Sequence, residues 1–120
     1  MGDRVLFQIV AKNRPNQFGP VVYCHWSGSL APEIVRALAK RMEGRSDDMS
    51  YATARLVQEC VGDDGGNLSF GVWNADKKLT AEDSHGDAGV VLIDCANGFR
   101  CECLGGYLYT GEDGFPVVPY

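Results

Sequence analysis

The residues most able to do chemistry are concentrated at one junction of the chain, YCHWSGS at 23–29. A β-branched and aromatic run leads into this segment, and a run with helical periodicity follows it. The pattern therefore predicts a strand end, a glycine turn and a helix start. A helix start leaves backbone N–H groups unpaired and lies at the positive end of the helix dipole, which is typical of a site for a phosphate or a carboxylate.

The side chains of this junction suit an anionic ligand. Ser27 and Ser29 supply hydroxyl donors, and Gly28 lets a ligand approach the backbone closely. His25 can donate to an anion near neutral pH, and Arg36, about a turn and a half into the helix, can add a positive charge. The same residue types are also common as caps and turns, and the sequence leaves that alternative open.

Two later segments carry further rings and polar groups. Trp73 and Asn74 end a predicted strand, and His85 and Asp87 precede another. If these segments meet Trp26 at one rim, the indole rings can stack on a planar ligand, each for ~1–3 kcal/mol. Asn74 and Asp87 can then bind a base edge or ribose hydroxyls. The alternative is that the tryptophans pack internally and that the polar residues close turns.

Catalytic patterns are weak in this sequence. HWS at 25–27 matches one half of the H-x-S/T pattern of two-histidine phosphoesterases, but HGD at 85–87 departs from the other half. A Cys24–His25 nucleophile pair is disfavoured because neighbouring strand residues point to opposite faces. No glycine-rich phosphate loop, H-E-x-x-H motif or nucleophile elbow occurs. We therefore assign no catalytic residue and keep a nucleotide-cleaving phosphodiesterase as the second alternative function.

The five cysteines, at 24, 60, 95, 101 and 103, are an odd number in a chain without a visible secretion signal, so a disulfide framework is not expected. Cys101 and Cys103 stand two apart in a predicted strand, so both thiols should face one side. A zinc site needs about four ligands, usually from paired C-x-x-C knuckles, and no C-x-x-C occurs. We expect reduced thiols packed as small hydrophobic residues, with no metal and no cofactor.

Composition narrows the class of protein. The chain has 120 residues, and 11 basic against 16 acidic residues give a net charge of −5, which argues against a general nucleic-acid binder. No apolar run approaches the ~18 residues of a membrane span, and no secretion signal is visible, so we expect a cytoplasmic protein. The acids stand in scattered pairs. They leave open an alternative function, a protein–protein inhibitor that presents an acidic face.

Hydrophobic periodicity predicts one domain over residues 1–120, with a tail at 111–120 that can be loosely attached. Leu30, Ile34, Leu38 and Met42 recur every four residues and predict a first helix that stops near Gly44. A second helix should start at 48–50 and run to about residue 61. Loops are predicted at 13–20, 62–67 and 75–87.

The strand pattern predicts an α+β fold. An Asn97-Gly98 turn should join the last two main strands, because both residues tolerate positive φ. The order β-β-α-α-β-β-β predicts a mostly antiparallel sheet with both helices packed on one face. Strands are predicted at 4–11, 21–26, 68–74, 89–95 and 99–104, with a short edge strand at 107–110.

Three segments resemble small proteins encoded by phages and prophages. They are VYCHWSG at 22–28, GNLSFGVWN at 66–74 and HGDAGVVLID at 85–94, together under a third of the chain. The resemblance implies action in the bacterial cytoplasm against host immunity. Proteins of that kind act as sponges for nucleotide signals or as direct inhibitors of defence complexes.

These observations favour a non-catalytic protein that binds and sequesters an anionic, nucleotide-like ligand. Its partner is that small ligand or, in the alternative, a host defence protein, without direct binding of nucleic acid or membrane. Homo-oligomerisation is left open. The ligand-binding residues that the sequence proposes are His25, Trp26, Ser27, Gly28, Ser29, Arg36, Trp73, Asn74, His85 and Asp87.

Overall fold

The computed structural model describes residues 2–63 and 69–120, and within them the predicted α+β class is confirmed. Two strands come first, followed by a 3-10 turn at Gly28–Leu30 and two helices, and then by five strands. The helices are α1 (Ala31–Arg41) and α2 (Met49–Asp63). The strands are β1 (Val5–Val10), β2 (Phe18–Cys24), β3 (Phe70–Trp73), β4 (Gly89–Asp94), β5 (Arg100–Leu104), β6 (Tyr109–Thr110) and β7 (Pro116–Val117).

The main sheet is mixed, and this corrects the predicted mostly antiparallel sheet. Its order is β3-β2-β1-β4-β5, and β6 pairs with β7 in a separate two-stranded sheet that the predicted element order lacked. Three pairs are antiparallel, but the central pair, β1 with β4, is parallel along its whole length. The cause is the connection at 74–88, here called the crossover, which carries the chain from edge strand β3 to the far side of β1. A connection of this length permits a parallel pairing, whereas a hairpin does not.

Both helices cover the same face of the sheet. Ile34 and Leu38 of α1 and Leu56 of α2 are fully buried against Phe7 and Ile93 of the two central strands. The four-residue spacing of the apolar side chains in α1 places them on one stripe, which is why this helix docks through a single side. Burial of each such side chain contributes roughly 1.5–3 kcal/mol.

The opposite face of the sheet carries a smaller core under the crossover. Leu6, Val21 and Leu92 pack there with Leu79, which the crossover contributes. This face is therefore covered by an irregular segment instead of a helix. The candidate site lies on this face, over β3 and the C-terminal half of β2.

A buried glutamine attaches the crossover to the sheet. Gln8 Nε2 donates to the carbonyl oxygens of Gly19 (3.0 Å) and Lys77 (3.1 Å), and Gln8 Oε1 accepts a hydrogen bond from the Leu79 N–H (2.8 Å). Gln8 is fully buried in β1, so each of these bonds satisfies a group that water cannot reach. The crossover is thus fixed from the middle of the sheet.

Several helices and strands begin or end at other residues than predicted. β2 begins at Phe18, inside the predicted 13–20 loop, because Phe18 pairs with Val10 beyond an irregularity in the ladder. α2 continues to Asp63, while residues 64–67 of the predicted loop and Leu68 of the predicted strand lie outside the described residues. Within the predicted 75–87 loop, Ala81–Asp83 forms a 3-10 turn.

The turn between β4 and β5 also differs from the prediction. Asp94 pairs with Arg100, so the connection has five residues, and the positive φ angles belong to Gly98 (65°) and Phe99 (63°) instead of Asn97. Phe99 is nearly fully buried in the helix-face core. Its packing outweighs the local preference for an Asn-Gly turn.

The tail at 111–120 packs on the body of the domain. Pro116 is buried, and Phe115 and Val118 contact the core on the helix face. The pairing of β7 with β6 and a Cys101 N–H donated to the Gly114 carbonyl oxygen (2.6 Å) hold the segment along the outer side of β5.

Candidate functional site

The predicted anion site at the helix start is occupied by the N-terminal segment of the same chain. The Ser29 N–H donates to Asp3 Oδ2 (2.8 Å), and the Gly28 N–H donates to the Asp3 carbonyl oxygen (2.8 Å). The Tyr107 hydroxyl donates to Asp3 Oδ1, and burial together with this bond raises the pKa of Tyr107. A carboxylate does lie at the positive end of the helix, as the pattern indicated, but Asp3 supplies it.

Ser27 and Gly28, in the middle of the turn, are buried. Ser27 is 1% exposed and Gly28 is buried, so neither presents a donor to solvent. Gly28 does not have a positive φ angle. A Cβ atom at this position would lie 2.5 Å from Asp3 Oδ1 and 2.6 Å from the Cβ of Ala88. Close packing of the N-terminal segment and the entry to β4 therefore explains the glycine.

Arg36 lies apart from the junction. Its Nη2 donates to Asp113 Oδ2 (2.7 Å), and its guanidinium carbon is 4.7 Å from the centroid of the Phe115 ring. These contacts turn Arg36 toward the tail. The expectation that it adds charge at the helix start is corrected, because the long side chain finds an ion pair and a ring on the other side of α1.

Five rings meet at the corner of the crossover face. We call them the ring cluster: Tyr23, His25, Trp26, Trp73 and His85. Tyr23 is central, since its ring centroid lies 5.9 Å from that of Trp73 and 5.4 Å from that of His85. Tyr23 Oη and His25 Nδ1 are hydrogen-bonded at 2.7 Å, and Trp26 packs edge-on against His25 at 4.5 Å between centroids. The structure thus brings together four of the residues that the sequence proposed.

The sheet register explains this meeting. Tyr23 pairs with Gly71 and Val21 pairs with Trp73, so Tyr23 and Trp73 are diagonal neighbours on the crossover face. His25 follows Tyr23 by two residues and keeps to the same side, while Cys24 is buried on the helix face. The disfavoured Cys24–His25 pair is accordingly absent from the site.

His85 reaches the cluster from the crossover. Ser84 Oγ donates to the Gly105 carbonyl oxygen (2.8 Å) and accepts from the Gly86 N–H (3.0 Å), which anchors the chain on both sides of His85. The His85 and Trp73 ring planes are within 16° of parallel, with their centroids 6.5 Å apart. The imidazole itself is exposed.

An ion pair borders the ring cluster. The Arg4 backbone N–H (3.1 Å) and Nε (2.9 Å) both donate to Asp87 Oδ2. This bonding holds the pKa of Asp87 below its usual range and raises that of Arg4. Burial raises the pKa of Tyr23, and the nearby Arg4 charge opposes that effect. Asp87 adopts a positive φ of 54°, which directs its carboxylate back to the start of β1.

The cluster leaves large rings in contact with solvent. Trp26 is 53% exposed and Trp73 is 43% exposed, and Asn74 beside it is exposed as well. Large exposed rings that stand close together are characteristic of interaction surfaces, which makes the ring cluster the candidate binding surface. The alternative that both tryptophans pack internally is therefore wrong.

The ligand-binding residues proposed from the sequence did not include Tyr23, which is central to the ring cluster, or Arg4, which borders it. Tyr23 could have been found from strand alternation, because a residue two before His25 must share its side. Arg4 carried no comparable signal. Its place beside Asp87 depends on the parallel pairing of β1 with β4, which brings residues 83 positions apart into contact.

The cysteines remain thiols without a shared ligand geometry. Cys101 and Cys103 both pack against the helix-face core, as their spacing predicted, and burial raises the pKa of each. Cys24, Cys60 and Cys95 are buried cysteines that form no disulfide. Among residues 2–63 and 69–120, no three His, Cys, Asp or Glu side chains are grouped so that they could hold a metal ion.

Comparisons of the chain with protein-family models, with curated proteins and with solved structures found no match. In the described part of the chain, no helix has both the length and the apolar character needed to cross a bilayer.

Proposed function

We propose that the protein binds and sequesters a small anionic, nucleotide-like ligand at the ring cluster, without cleaving it. The observation that carries this proposal is the pair of half-exposed indoles grouped with an exposed imidazole and bordered by a guanidinium. Indole and imidazole faces stack on nucleobases with little regard to sequence, for ~1–3 kcal/mol per base. A nucleobase is thus the planar group that these rings suit.

The anionic group of the ligand fits the side of the cluster where His85 and Arg4 lie. Arg4 Nη2 is close to Gly86, since a Cβ on Gly86 would be 3.5 Å away from it. A protonated imidazole and a guanidinium both donate to phosphate oxygens. Asp87 competes for the same guanidinium, so a phosphate must draw Arg4 away from a half-exposed ion pair.

The environment of His25 supports binding over cleavage. Its Nδ1 is bonded to Tyr23, and its Nε2 faces Gly2, where a Cβ would lie only 2.8 Å away. Both ring nitrogens of His25 therefore face groups of the protein itself, and its ring packs against Trp26. The phosphodiesterase alternative requires a second working histidine beside His85, and this geometry does not favour it.

The protein-inhibitor alternative draws support from the same exposed tryptophans, because tryptophan is enriched at binding hot spots. Its acidic face is less favoured. Within the described residues, the acid pairs at 47–48, 82–83 and 112–113 are each partly neutralised by a cation of the chain itself. The ion pairs are Arg14–Asp47, Lys77–Asp83 and Arg36–Asp113. We therefore rank this function second.

The setting that we propose is the cytoplasm of a phage-infected bacterium. The three segments that resemble phage and prophage proteins include the residues of the ring cluster. In that setting, a sequestered nucleotide would be a signal of bacterial immunity, and its removal would protect the phage.

A thermal-shift screen with mono-, di- and cyclic nucleotides tests the proposal. A ligand at ~100 times its Kd should add ~2.7 kcal/mol to the free energy of unfolding. Trp73→Ala should remove this gain, whereas Tyr109→Ala, an equally exposed ring on β6, should keep it. Mass spectrometry should recover the ligand intact, and a cleaved product would assign an enzyme. A screen without any stabilisation would favour the protein inhibitor.

A further inference from the structure

The ring cluster has two separate stacking positions. Trp26 contacts His25 at one end of the cluster, and Trp73 contacts Tyr23 and His85 at the other. The hydrogen-bonded Tyr23–His25 pair lies between them, with ring centroids 6.2 Å apart. Among the described residues, the two indoles make ring contacts with these intermediate rings and none with each other. A single base that stacks on one indole therefore does not cover the other.

From this spacing we infer that the ligand is a dinucleotide: two bases joined through a phosphodiester. The inference rests on the proposed function and specifies its ligand. One base stacks on Trp26, and the second stacks on Trp73 beside His85. The linking phosphate then passes the middle of the cluster, within reach of the side where Arg4 lies. A mononucleotide would use one exposed indole and leave the other in water, although both are about half exposed.

Charge sets an upper limit on the ligand's length. The crossover beside Trp73 and His85 carries four acidic residues (Asp76, Glu82, Asp83 and Asp87) against two lysines (Lys77 and Lys78), and the whole chain has a net charge of −5. Each added phosphate of a longer strand would bring a further negative charge toward a segment in which acidic residues outnumber lysines. Two bases and one linking phosphate therefore suit the surface better than a longer single strand.

Isothermal titration calorimetry on the full chain distinguishes these ligands. The probes are AMP, linear 5′-phosphorylated diadenylate, cyclic diadenylate and an octa-adenylate. We expect one of the two diadenylates to bind at least tenfold more tightly than AMP. Which of the two binds more tightly shows whether the ligand is linear or cyclic. Trp26→Ala and Trp73→Ala should each weaken diadenylate binding about tenfold. Trp26→Phe, which keeps a ring, should retain most of the affinity, and Tyr109→Ala should bind like wild type.

The possible failures are distinct. Equal affinity for AMP and both diadenylates, with Trp26→Ala unchanged, would overturn the dinucleotide inference while the proposed function stands. If the octa-adenylate bound more tightly than either diadenylate, the dinucleotide inference would be overturned in favour of a single-stranded nucleic acid as the ligand. Absence of binding by every probe would contradict the proposed function itself. Circular dichroism of each variant verifies folding, which the exposure of both indoles should leave intact.

Discussion

The helix start and the ring cluster use similar residue types but differ in what satisfies them. At the helix start, the donors are bonded to Asp3, and the serine and glycine are buried. At the ring cluster, Trp26, Trp73 and His85 remain exposed to solvent. The comparison teaches that donor chemistry alone does not define a site. A binding surface must also be left unsatisfied by its own chain, and of these two regions the ring cluster meets that condition.

The largest expected effect concerns the support of the cluster. Gln8→Leu removes one acceptor and one donor group, and it takes the hydrogen-bond partner from the buried Gly19 carbonyl and Leu79 N–H and from the partly buried Lys77 carbonyl. We expect a loss of about 3 kcal/mol in urea unfolding, because each orphaned buried group costs ~1–3 kcal/mol. Gln58→Leu, an exposed change on α2, should stay within about 0.5 kcal/mol. A stability for Gln8→Leu equal to that control would contradict the role of Gln8 in holding the crossover.

A smaller effect is expected at the helix start. Gly28→Ala forces a Cβ against Asp3 and Ala88, and we expect a loss of about 2 kcal/mol. Gly62→Ala on α2 is the matched control, since no atom lies within 4 Å of its Cβ position, and alanine there should stabilise the helix by up to about 1 kcal/mol. Paired thermal melts measure both. If both variants were equally stable, the close packing of Asp3 and Ala88 around Gly28 at the helix start would be refuted.

Removal of the Asp3 carboxylate, which occupies the helix start, sharpens the comparison further. Asp3→Ala deprives the Ser29 N–H and the Tyr107 hydroxyl of their acceptor, and we expect a loss of about 1.5 kcal/mol. Nucleotide affinity should not change if, as proposed, the ligand binds at the ring cluster. A strong gain in affinity on opening the entrance would instead place the anion site at the helix start.

The smallest effect is a pH dependence at the ion pair. Arg4 lowers the pKa of Asp87 in the folded protein, so the pair's contribution is complete above the unfolded value of about 3.9 and is lost as the pH falls through the folded value. Asp87→Asn, which tolerates the same positive φ, removes that contribution. The difference in stability between wild type and Asp87→Asn should therefore shrink between pH 5 and pH 3 in urea titrations. A difference that stays constant across this range would argue against the ion pair.

Local patterns predicted the fold better than the site. The four-residue spacing from Ile34 to Met42 is decided within a few turns of chain, and α1 follows it. The parallel β1–β4 pair was not predictable, because nothing in either strand encodes its partner across the crossover. The same limit hid the contact between Asp3 and Ser29. The sequence pointed to both tryptophans because each stands near the end of a predicted strand. The central position of Tyr23, in contrast, depends on the register of β2 against β3.

An NMR titration with diadenylate tests most directly that the ring cluster, and not the helix start, is the binding site. The chain has two tryptophans, so two indole N–H signals report on Trp26 and Trp73, while the Gly28 and Ser29 amides report on the helix start. We predict that both indole signals and the His85 ring signals shift with one common Kd, and that the Gly28 and Ser29 amides remain in place. Shifts confined to those two amides, with both indole signals unmoved, would contradict the account.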